Sequence, residues 1–370
     1  MKISSSNLNL DIELIMKHNN IDILNRKLIS SMNDKSPIGL SNGKMGMCIY
    51  FYYLSRWEEQ EEYKQIAEKL LDDIVFDLSE TNDISKMTDI TVEYGLTGIA
   101  IGISHLVKEN FVKGDINEIL EDIDSNIFKK LAFLSNEESK DQIPKVALIQ
   151  ILCYLYLRYT EQTSPGGKYI FQELIIKIIE LFKNNLQFSF FKEQFSFSVQ
   201  NFHLPLFLYI FSKIYDLNIY NGRIIRILDE FANQVLSSIP VLHANRLYLL
   251  WGLLCIKPCM IDHQKEMESH INLLKKQIDI GRIIHTELKN QDIYLMDGLP
   301  LVYIILYSIR NKYPEYGIKF NPQLFYNKIK KSEAWNVLLN KEPYFYRYQG
   351  LFNGFTGANL VLSHIKKNYP

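Results

Sequence analysis

Along Glu61–Leu78 the apolar residues fall at Ile66, Leu70, Leu71, Ile74 and Leu78, with charges between them. Steps of three and four predict a helix with one buried face. Glu173–Leu186, Arg223–Leu236 and Lys265–Ile278 have the same pattern. Between these lies a second kind of segment, apolar nearly all round: Met47–Trp57, Ile99–Val107, Val146–Leu157, Leu204–Ile214, Leu247–Ile256, Leu301–Ile309 and Ala358–Ile365. A helix apolar on every side is buried on every side, so an all-α protein with an inner and an outer layer is expected. Proline is sparse and no Gly/Ser-rich linker divides the chain. One domain over residues 1–370 is therefore expected, with an N-terminal helical extension over about 1–36.

The inner segments are copies of one another. "GLSNGKMG" (Gly39–Gly46) and "GLFNGFTG" (Gly350–Gly357) share five of eight residues in register. Aligned on the first glycine of Gly-x-x-Gly, full copies start at Gly43, Gly95 and Gly354, and a fourth at Gly298 keeps that glycine. Degenerate copies thread at Lys145, Leu204 and Asn245, giving steps of 41 to 59 residues. Seven helical hairpins of this length form an array, and matching phrases at both ends suit a ring in which the last unit meets the first. A small residue at each inner-helix start lets the incoming loop pass close to its neighbour. It also leaves helix-start N–H groups within reach of a ligand at one end of the ring.

Charged residues make up 22% of the chain and the formal net charge is −1, so nothing draws it to nucleic acid or an anionic membrane. The most apolar runs, Val146–Leu157 and Leu204–Phe211, fall short of the roughly 20 residues that cross a bilayer. The N-terminus lacks the apolar core of a signal peptide. No membrane insertion and a cytoplasmic location are expected. Four scattered cysteines do not make a disulfide framework. "CIKPCMIDH" sets Cys255, Cys259 and His263 at four-residue spacing, like a short metal clip. It lies at the far end of the fifth inner helix with no fourth ligand, and reads as buried apolar thiols.

Repeated Gly-Leu-x-x-Gly-x-x-Gly phrases before seven buried helices, from Gly39 to His364, resemble the lanthionine synthetase C-like family of lanthipeptide cyclases and relatives. The resemblance implies an α/α toroid of seven hairpins in two layers. It also implies a zinc ion at the inner-helix N-termini, where a cysteine thiolate adds to a dehydrated serine or threonine. The family's zinc ligands come from Trp-Cys-x-Gly in the fifth unit and Cys-His-Gly in the sixth. Here those units read "LHAN" and "LMDG", so His243 and Met296 replace the cysteines and Asp297 replaces the histidine. Methionine suits copper(I), not zinc, and no cofactor is expected; the alternative is an active cyclase with a non-thiolate zinc site, for which His243, Asp297 and His203 have acceptable ligand types. The third unit's aspartate has a candidate in Asp141, and the fourth unit's histidine in His203.

Two function classes follow. One is a zinc-independent enzyme of peptide maturation, a carbon–sulfur bond-forming cyclase with His203 and Asp141 as its acid–base pair. The other is a non-catalytic relative that holds a peptide substrate or a peptide-modifying enzyme in the mouth of the ring, against Arg246, Tyr248, His243 and Asp297. Loss of both thiolates favours the second. An α/α-toroid glycosidase or lyase is the remaining alternative, suggested by the 13% aromatic content.

Overall fold

The computed structural model describes residues 20–32, 37–80, 89–133, 145–185, 191–193, 196–199, 201–288 and 292–369. Among them every regular element is helical. Seven apolar helices form the inner layer: α1 (Lys44–Glu58), α2 (Leu96–Lys108), α3 (Lys145–Glu161), α4 (Leu204–Asp216), α5 (His243–Ile256), α6 (Leu299–Lys312) and α7 (Phe355–Asn368). Each of α1 to α6 packs on the next inner helix or is joined to it, and α7 packs back on α1. The α6–α7 seam includes a hydrogen bond of 3.2 Å between the Tyr303 hydroxyl and His364. The ring closes, and each inner helix starts within two residues of its sequence-predicted origin.

The outer layer holds the amphipathic helices. Glu61–Glu80 lays Ala67, Leu70, Ile74 and Leu78 on α1, and its Asp77 pairs at 2.8 Å with the buried Lys44 of that helix. Glu121–Phe133, Pro165–Asn185, Asn221–Ser237, Gln264–Gln277 and Pro322–Lys330 continue round the ring. A helix over residues 20–31 covers the seam where the last unit meets the first. There the Tyr50 hydroxyl of α1 donates to Asn25 of that helix and accepts from Asn359 of α7, both at 2.7 Å.

Units that keep the glycine phrase start their helices in one way. The first helical N–H bonds the carbonyl seven residues back: Lys44 to Pro37, Leu96 to Asp89, Leu299 to Asp292 and Phe355 to Tyr348, at 2.7 to 3.2 Å. The second glycine sits against the carbonyl of the loop's apolar residue. A Cβ at Gly98 would collide with the Val92 carbonyl, and one at Gly357 with that of Leu351. These glycines serve close approach of backbone to backbone.

Units two and three are joined instead by buried charge. Arg158 on α3 is 1% exposed and binds both Asp124 (2.8 Å) and Glu161 (2.6 Å). The Tyr154 hydroxyl also donates to Asp124, and Ser104 of α2 donates to Glu161. Burying a guanidinium is tolerated only where its donors are matched in this way.

Candidate functional site: the mouth and centre of the ring

The loops ahead of the inner helices meet at one end of the ring and bond to each other through their backbones. The Val199 N–H donates to Met296, Met296 to Phe352, Phe352 to Ser41, and Ser41 to Glu93, at 3.0 to 3.3 Å. This belt runs from the fourth unit through the sixth, seventh and first to the second, and passes over the fifth. Side chains along it, including Val92, Val199, Met296 and Phe352, face a central cavity of about 380 Å³. Tyr248 and Trp251 of α5 and Leu301, Ile304 and Ile305 of α6 form much of its wall. The Tyr248 and Trp251 rings stack at 5.8 Å, and Tyr209 stacks on Trp251 at 5.0 Å. Polar groups are few: Gln150, Ser308, the Tyr248 hydroxyl and the Cys153 thiol. Burial pushes that thiol up to about 12, so it stays protonated and unreactive near neutral pH. Burial likewise raises Tyr248. An apolar cavity ringed by a few polar groups suits apolar side chains or a small ligand.

Of the residues picked from the sequence, Tyr248 lines this cavity and the others lie elsewhere or outside the description. The His243 Nδ1 lies 2.8 Å from the Gln277 carbonyl oxygen and 3.2 Å from the Asp279 backbone nitrogen, on the side of the outer helix. Arg246 donates to the Pro240 carbonyl at 2.7 Å and the Gln277 carbonyl at 3.1 Å, closing the C-terminal end of that same helix. His203 is the residue before α4; burial lowers its pKa and a hydrogen bond to the Val199 backbone opposes the shift. It is thereby held neutral at pH 7. Asp297 opens onto a separate, smaller pocket and does not cap α6, whose N-cap is Gly298 with no side-chain bond. Asp141 lies outside the described residues.

The start of α5 is closed by acids that the repeat alignment did not single out. Glu193 accepts from the Val241 N–H at 2.8 Å, the Leu242 N–H at 3.2 Å and the Asn245 amide at 3.1 Å. Glu287 accepts from the His243 and Ala244 N–H groups at 2.7 and 2.9 Å. The positive end of the helix is thus satisfied internally. The sequence signal was indirect: the fifth unit has lost its glycine, and its free N–H groups need acceptors from outside the repeat.

The donor set does not fit the zinc site that the family resemblance implies. Met296 offers only a thioether, His243 is committed to backbone groups, and Asp297 faces another pocket. Among the described residues no three His, Cys, Asp or Glu side chains are grouped to hold a metal ion. Cys255 accepts from the Tyr313 hydroxyl at 3.6 Å, and His263 pairs with Asp229 at 3.4 Å, so the sequence clip is not assembled.

Residues 34–201 match the family model described as lanthionine synthetase C-like protein. Among solved structures, nisin cyclase superposes with a TM-score of 0.57 at 15% identity, covering 96% of this chain and 94% of that chain. No curated protein matches the chain. The family match spans a little under half of the chain, and the superposition shows that the whole chain shares the helical toroid fold of nisin cyclase. No helix among the described residues is long and apolar enough to cross a membrane.

Proposed function

We propose that this is a non-catalytic, zinc-independent cyclase-like protein of ribosomal peptide maturation, which holds apolar side chains of a peptide in the centre of its ring. The observation that carries the reading is the cavity itself: about 380 Å³, walled by Tyr248, Trp251, Ile304 and Ile305, with Met296 on its rim. A thioether on that rim cannot serve as a thiolate ligand, and a protonated Cys153 cannot act as a nucleophile. What the cavity retains is the capacity to desolvate apolar surface, worth about 25 cal/mol per Å².

The test has two parts. Elemental analysis of the protein purified without added metal is expected to give clearly less than one zinc per chain. Titration with a synthetic peptide rich in apolar side chains is expected to perturb tryptophan fluorescence, and Trp251→Phe is expected to abolish that signal. Stoichiometric zinc that disappears in His243→Ala would overturn the zinc-independent reading. An unchanged fluorescence signal in Trp251→Phe would remove the peptide from the central cavity.

A further inference from the structure

A second pocket of about 180 Å³ lies between the loop ahead of α6 and the segment leading into α7. It shares no lining residue with the central cavity. Asp292, Tyr294 and Asp297 form one side, and Tyr344 and Tyr348 the other, over the helix Ala334–Asn340. The Tyr294 and Tyr348 rings are parallel at 4.7 Å and 3°, and Tyr344 extends the stack at 6.2 Å and 27°. The Asp297 Oδ1 is buried and has no hydrogen-bond partner among the described residues. No ion pair reaches Asp297 among them either.

A buried carboxylate without a counter-charge is costly, and here a second carboxylate lies beside it. Burial, then the neighbouring Asp292, pushes Asp297 up to about 6. Among the described residues the nearby cations do not relieve it. Lys341 stands 5.6 Å from the Tyr344 ring and Arg347 5.3 Å from the Tyr348 ring, both side chains exposed. Both contacts place a cation within cation–π range of a tyrosine of the stack. The unmatched element is a positive charge small enough for the pocket and sheathed in methylenes.

We propose that this pocket binds a primary alkylammonium or guanidinium group, with Asp297 and Asp292 taking the charge and Tyr294, Tyr348 and Tyr344 packing on its alkyl stem. The cation is either a free amine or the lysine or arginine side chain of a bound peptide. Only the peptide source rests on the function proposed above. The probes are Nα-acetyl-lysine N-methylamide, its uncharged isostere Nα-acetyl-norleucine N-methylamide, and n-butylammonium, followed by saturation-transfer NMR on the full chain.

The lysine probe is expected to bind and the norleucine isostere to fail to compete. Asp297→Asn is expected to weaken the lysine probe by at least tenfold. Tyr344→Leu, at a residue 47% exposed, should weaken it a few-fold with the fold intact. n-Butylammonium binding as tightly as the lysine probe supports a free amine; tighter binding of the lysine probe supports a peptide side chain. No binding of either amine, equal binding of the isostere, or full affinity in both variants overturns the site. Ile304→Glu, which alters the central cavity, should leave the lysine probe's affinity unchanged, so failure here is separable from failure of the peptide reading.

Discussion

The two halves of the ring solve one problem differently. In the first, second, sixth and seventh units, glycine lets a helix start directly beneath its own loop, and the first N–H reaches back seven residues to a carbonyl. In the fifth unit that glycine is gone. There Glu193 and Glu287 reach in from other segments to take the N–H groups of Val241, Leu242, His243 and Ala244. The difference teaches where alignment can mislead. A residue at the register of a functional ligand is free for chemistry only if the local backbone is satisfied without it. His243 and Arg246 are spent on the end of the neighbouring outer helix.

The comparison can be broken by removing each device in turn. The largest effect is expected at the buried charge network of the third unit. Arg158→Ala leaves Asp124 buried without its cation, while Glu161 keeps Lys108, and should cost about 3–5 kcal/mol, read as a lowered denaturant midpoint. Next is the glycine device: Gly98→Val forces a side chain into the Val92 carbonyl and should cost about 1–3 kcal/mol. Gly222→Val, where a Cβ meets nothing, is the control for a general glycine effect, and only its helix-propensity change should register.

The carboxylate device comes third. Glu287→Gln keeps the shape but removes the charge from two backbone bonds, and should cost about 1.5 kcal/mol. An unchanged midpoint would mean that the fifth helix does not depend on its plug.

The smallest effect is pH-dependent. Asp297 is raised from its ordinary 3.8 to about 6, so the fold favours its protonated form. That contribution is complete below the unfolded pKa and is lost as pH rises through about 6. Asp297→Asn should therefore be more stable than wild type at pH 8, by about 1 kcal/mol after allowance for partial solvent exposure. The gain should vanish by pH 4. A gain independent of pH would assign the effect to packing and not to charge.

These contrasts also explain what could be read from the chain. All seven inner helices were legible, because a segment apolar all round, such as Leu247–Ile256, has only one place to go. The ring was legible from the twin phrases at Gly39 and Gly350, whose loops now meet through the Phe352–Ser41 backbone bond. The candidate site was legible only in part. Tyr248 falls on the cavity wall because it lies on the inner face of a helix whose register was clear. Trp251, three residues on, carries the same periodic signal and was passed over. The backbone belt could not be seen, since its bonds involve no side chain. Glu193 and Glu287 could not be assigned, since any of many acids could have met the same need.

The central claim is that ligand binding occurs in the apolar centre of the ring and not at the plugged entrance of the fifth helix. Calorimetric titration of a synthetic peptide rich in apolar side chains against wild type, Ile304→Glu and Arg246→Ala separates the two. Ile304 lines the cavity yet is 39% exposed, so the acid can be accommodated without unfolding the chain. The account predicts at least a tenfold loss in Ile304→Glu and a change under twofold in Arg246→Ala. Full affinity in Ile304→Glu with a large loss in Arg246→Ala would contradict it and return the site to the helix entrance.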